Sequence, residues 1–166
     1  MNKQVASVAV VVGVVGAALV GRFLGWMFGL QFVLPIVVGL AAARAFENHK
    51  ARQFAAPLGV QAGYLTYVAL GIVIALLRGQ FYIGFFGVVL HLISVVGFVA
   101  LIVQPGAPPA WLLILRHGFS LVRVLQALPP IIKSTAYISR ASIVETLIVG
   151  VFSVTMIALL LRALRR

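Results

Sequence analysis

Val5–Ala43 reads VASVAVVVGVVGAALVGRFLGWMFGLQFVLPIVVGLAAA, an apolar stretch with a single charge, Arg22. As one straight helix it would measure about 58 Å at about 1.5 Å per residue, nearly twice the roughly 30 Å hydrocarbon core of a bilayer. The stretch must therefore fold back on itself. A turn at Gly21-Arg22 gives two crossings, Val5–Val20 and Phe23–Ala43, with Arg22 at an interface. A turn over Leu30–Leu34 would instead make Pro35 the first residue of the second helix, a position proline favours. The first is the expected arrangement. Lys3 ahead of Val5–Val15 has the form of a secretory signal, but the apolar character continues past Gly16 and Ala18, so an uncleaved first membrane helix is expected.

The theme repeats downstream. Arg44–Gln53 (RAFENHKARQ) is the most polar segment, and its Arg44, Lys50 and Arg52 mark a cytoplasmic joint. Pro57 opens the run Leu58–Leu77, and Arg78-Gly79-Gln80 is a tight connection to the antiparallel run Phe81–Val103. Gln104–Pro109 (QPGAPP) should stop that helix. A last run, Ser142–Leu161, precedes Arg162, Arg165 and Arg166.

Composition gives the same answer independently. The chain is 63% hydrophobic and 9% charged, with a mean hydropathy of +1.19. A soluble domain is typically about a quarter charged, so most of this chain must have lipid as its solvent. Its charge is one-sided, with 13 Lys+Arg against two acids, Glu47 and Glu145. Because the basic residues flank apolar runs, they point to anionic headgroups and membrane orientation rather than to nucleic acid.

Trp111–Leu128 differs in kind. At about 100° per residue, Arg116, Ser120 and Arg123 share one face, flanked by His117 and Gln126, and Trp111, Ile114, Leu121, Val122 and Leu125 share the other. Burying each arginine in a crossing would cost on the order of 2.5 kcal/mol unless paired. The segment therefore reads as a helix lying in the interface, ended by Pro129-Pro130. A crossing here is the alternative.

The expected fold is all-α: a polytopic transmembrane bundle of about five crossings, alternatively six, plus this amphipathic interfacial helix, in one integral membrane domain. The expected home is a bacterial inner (cytoplasmic) membrane with the N-terminus cytoplasmic.

Candidate functional residues are few. His91 falls near the middle of Phe81–Val103, and intramembrane ionisable groups are functional candidates by default. The plain reading is a neutral imidazole bonded to Gln31, Gln61, Tyr64, Tyr67 or Ser94, the polar glue of transmembrane packing. Haem ligation by paired intramembrane histidines is not expected, because His49 and His117 fall in basic interfacial segments. Ser142-Ile-Val-Glu145 has capping-box spacing, which makes Glu145 a helix-start residue. Gly21, Gly25 and Gly29 recur every four residues, and Gly59 and Gly63 share a stripe, a spacing that lets helices approach closely. Arg22, Arg78, Arg116 and Arg123 are candidate contacts for anions or headgroups.

The absences narrow the chemistry. With no Cys, no Asp and two Glu, hydrolase triads, thiolate metal sites and paired-carboxylate catalysis have almost no raw material. No P-loop, dinucleotide fingerprint or H-E-x-x-H occurs. The expectation is a non-enzymatic membrane subunit or scaffold without cofactor or metal, packed with other membrane subunits or with copies of itself. The alternative is a small channel or transporter for an anion or lipid-like solute.

Overall fold

The computed structural model describes residues 15, 26–77, 79, 84–133 and 140–165. Five helices make up almost all of these: α1 (Trp26–Phe46), α2 (Ala55–Leu77), α3 (Phe85–Val103), α4 (Ala107–Lys133) and α5 (Arg140–Leu164), with a single 3₁₀ turn, Arg52–Phe54, leading into α2. In hydrocarbon every backbone N–H and C=O must be satisfied within the segment, and these apolar runs can do so only as helices. Among the described residues, Gly29–Phe46, Arg52–Leu77, Phe86–Val103 and Thr146–Leu164 are long and apolar enough to cross a membrane. The fold is an all-α membrane helix bundle.

Side-chain contacts show how the helices run. Leu90 of α3 meets Arg116 of α4, while Gly97 faces Leu113, so α3 and α4 are antiparallel. Val124 packs on Gly150 and His117 on Ser153, so α4 and α5 are antiparallel as well. α2, α3, α4 and α5 form a ring in which α4 touches α3 and α5, and α2 touches both from the other side. α1 packs on the outside of α2. At one end of the ring Phe54, Leu58, Leu101, Leu113, Met156 and Leu160 form a fully buried apolar core. There Lys50 Nζ donates to the Val103 carbonyl, which satisfies an orphan acceptor at the α3 C-terminus.

α1 and α2 meet backbone to backbone. A Cβ built on Gly59 would lie 2.5 Å from Ala43 Cβ and 2.6 Å from Gly39 O, and one on Gly63 would lie 2.7 Å from Pro35 O. Glycine is the residue that permits this approach. The Gly59–Gly63 stripe is therefore occupied within the chain. At the far end of α2, Gly79 takes a left-handed φ of +65° and its N–H bonds Leu76 O at 3.0 Å, a glycine stop that turns the chain sharply.

Two sequence-based expectations change, and one alternative falls. Pro35 starts no helix: it is buried inside α1, which rules out the Leu30–Leu34 turn. The expected turn at Gly21-Arg22, the Val5–Val20 run apart from Val15, the expected cytoplasmic N-terminus, Gly25 and Arg78 lie outside the described residues. QPGAPP stops α3 at Val103 as expected, and the break is confined to Gln104–Gly106 because Pro108 and Pro109 sit in the first turn of α4, where their missing N–H groups have no helical partner to lose. Pro129-Pro130 does not end α4, which continues to Lys133; proline's fixed φ is itself helical, and less than one turn follows. Ser142 and Glu145 lie inside α5 rather than at its start, so the capping-box role is lost; the Glu145 side chain is outside the described set.

Replacing Gly59 by Ala should cost about 1–3 kcal/mol through overpacking against Gly39 and Ala43. Gly84→Ala, where a Cβ meets nothing within 4 Å, should be neutral. Thermal unfolding of both variants in detergent checks this, and equal melting points would contradict the close approach.

Candidate functional site

α4 is amphipathic as its sequence suggests, but its faces are reversed with respect to an interfacial helix. Arg116 is 3% exposed, His117 1% and Ser120 6%, whereas Leu115 is 69% exposed, Val122 51% and Leu125 57%. The polar face points into the ring and the apolar face points out. Arg116 is thus buried within the ring rather than on an exposed face, and His117 is buried beside it. The sequence reading put the polar face against headgroups; here the neighbouring helices cover Arg116, His117 and Ser120 and leave the apolar face outside.

The buried polar face builds a continuous network. Gln61 Nε2 donates to Ser94 O at 3.4 Å, which leaves Gln61 Oε1 to accept from His117 Nε2 at 2.9 Å. With its proton on Nε2, His117 offers Nδ1 as an acceptor, and Arg116 Nη1 donates to it at 3.1 Å. Ser153 Oγ lies 3.5 Å from the same nitrogen, at the outer limit of hydrogen-bond distance. Arg116 Nη2 donates to Tyr64 OH, and Arg116 Nε to Leu90 O at 3.4 Å. The guanidinium carbon also sits 4.6 Å from the Tyr64 ring centroid, a cation–π contact of about 2 kcal/mol when desolvated. Among the described side chains no carboxylate pairs with Arg116. Its charge is held by neutral acceptors and one aromatic face from α2, α3 and α4, and Ser153 of α5 joins through His117.

His91 lies beside this network rather than within it. Its ring is 6.5 Å from that of Tyr64, and Nδ1 is buried without a hydrogen-bond partner among the described residues. The expected bonds from His91 to Gln61, Tyr64 or Ser94 are not made: Gln61 bonds His117 and Ser94 O, Tyr64 bonds Arg116, and the Ser94 hydroxyl bonds Leu90 O. Gln31 and Tyr67 belong to a different place, the α1–α2 seam. Gln31 Nε2 lies 3.0 Å from where a Gly71 Cβ would be, and Tyr67 stacks at 6.1 Å on Phe32. The structure brings Gln61 and His91 around Tyr64 and separates them from Gln31 and Tyr67.

Next to the network is a cavity of about 350 Å³, walled by α3, α4 and α5, with Tyr64 of α2 also contributing. His91, Arg116, Ser120, Arg123 and Thr146 line it. Arg123 is exposed, two turns from Arg116 on the same face. Sequence reasoning missed Tyr64 and Ser153 as partners of α4. The available signal was the Arg116, His117, Ser120, Arg123 spacing, which marks one helical face that the ring then buries.

Among the described residues no group of three or more His, Cys, Asp or Glu is placed to hold a metal. Compared with known protein families, curated proteins and solved structures, the chain matches none. The site is therefore read from its own chemistry, within a bundle whose class is that of membrane proteins.

Gln61→Leu would leave the His117 N–H without its partner, a cost of about 1–3 kcal/mol for a buried group. Arg123→Gln, at an exposed position, should change stability far less. Chemical or thermal unfolding in detergent compares them, and equal losses would contradict the network.

Proposed function

We propose that the protein is a non-catalytic membrane component that admits an anion or an anionic headgroup into its bundle, as a small channel or transporter does. The observation that carries this reading is the inward polar face of α4: a cationic side chain held by neutral partners, beside an open cavity lined by a second arginine. Ionisable groups inside membranes are costly and mark solute pathways when retained. The scarcity of acids and the lack of thiols favour binding over catalysis.

In this reading α4 crosses the membrane beside α3 and α5. Its 27 residues would span about 40 Å at about 1.5 Å each. The antiparallel order then brings Arg44, Lys50 and Arg52 to the same end as Arg162 and Arg165, with Lys133 and Arg140 at the other. The positive-inside rule makes the first end cytoplasmic, in a membrane such as the bacterial inner membrane. The other role, a packing subunit of a larger or self-associated assembly, draws less support from Gly59 and Gly63, which pack on α1.

Proteoliposomes provide the test. Transmembrane movement of an anion, or of a headgroup-labelled anionic lipid, should be measurable and should fall at least tenfold in Arg123→Gln. Liposomes silent to both, with a fixed stoichiometric partner co-purifying, would establish the packing role instead.

A further inference from the structure

The cavity beside Arg116 has unspent donors. A guanidinium carries five N–H groups, and its described partners, Leu90 O, His117 Nδ1 and Tyr64 OH, take three, one from each nitrogen. One N–H remains on each terminal nitrogen. His91 lines the same cavity and holds a buried Nδ1 with no partner among the described residues. Arg123 lines it too, exposed and seven residues further along α4. Among the described side chains the lining holds no acidic residue, so their formal charge is positive and calls for an anion.

The shape of that anion follows from the two arginines. Each guanidinium recognises a pair of oxygens side by side. A halide offers no such pair and a carboxylate offers one. A tetrahedral oxyanion offers several, so it can engage a fork on each side at once, and as a dianion it balances both charges. The volume of about 350 Å³ lies at the small end of ligand cavities, which run from about 300 to 1,000 Å³, and leaves room for a phosphate group together with what it is attached to.

Resting on the reading of this cavity as an anion site, we infer that its ligand is a phosphate group, gripped by Arg116 within and Arg123 at the opening, with His91 Nδ1 as a further polar contact. That phosphate belongs either to free inorganic phosphate or to a phosphomonoester lipid headgroup.

The test is binding to the full chain. In detergent, inorganic phosphate, chloride and acetate are titrated by calorimetry; in nanodiscs, phosphatidate is compared with phosphatidylcholine. The expected result is phosphate or phosphatidate bound at least tenfold more tightly than chloride, acetate or phosphatidylcholine. Arg123→Gln, which keeps the buried network, should weaken this at least tenfold, and His91→Ala should weaken it by a smaller factor. Binding of inorganic phosphate identifies the free anion, and binding of phosphatidate alone identifies the headgroup. Chloride or acetate binding as tightly as phosphate would overturn the phosphate assignment and leave the anion site standing. No anion bound, or binding indifferent to Arg123→Gln, would overturn both.

Discussion

The Arg116 guanidinium sits in a helix bundle surrounded by lipid, and among the described side chains it has no carboxylate partner. A lone charge in such a place costs on the order of several kcal/mol unless its hydrogen-bonding capacity is met. Here the phenol of Tyr64, the imidazole of His117 and the carbonyl of Leu90 meet it, supported by the Tyr64 ring face. Those acceptors come from α2, α4 and α3, and Ser153 of α5 closes the shell through His117. The constraint is mutual: the four helices must stand in a ring for the charge to be tolerated, and the charge gives the ring a polar axis.

The axis divides the bundle in two. At the cytoplasmic end of the proposed topology the interior is apolar and filled by residues such as Phe54, Leu101, Met156 and Leu160. At the other end it opens into a cavity lined by Arg123, His91 and Thr146. The Arg116 network lies between them. α1 stands outside this arrangement and serves α2, to which it is bound through the close backbone contact at Gly39, Gly59 and Gly63.

Much of the fold was legible because lipid imposes a simple rule: long apolar runs must be helices, and polar joints must lie between them. The runs ending at Leu77 and Val103 end where the structure ends them. Prolines were read less well. Pro129-Pro130 looked like a break and Pro35 an alternative one, yet the helices run through both. The site was hidden for a different reason. The polar face of α4 was visible in the spacing of Arg116, Ser120 and Arg123, but periodicity says only that a face exists and not which solvent it meets. His91, the most conspicuous residue of the sequence, turned out to be peripheral, and Tyr64, which looked like one hydrogen-bond partner among several, became the centre. A tyrosine's role depends on what long-range packing brings to it, and one chain's sequence does not encode that locally.

The most direct measurement is a spin-label accessibility scan along α4 in lipid. Single cysteines are introduced from Leu113 to Ala127 in this cysteine-free chain, and collisions with oxygen and with a water-soluble nickel reagent are recorded. The inward polar face predicts oxygen maxima at Leu115, Phe119, Val122 and Leu125, and minima for both reagents at His117 and Ser120. Nickel maxima at Arg116, Ser120 and Arg123, with the apolar positions shielded from water, would place the polar face against the headgroups and contradict the account.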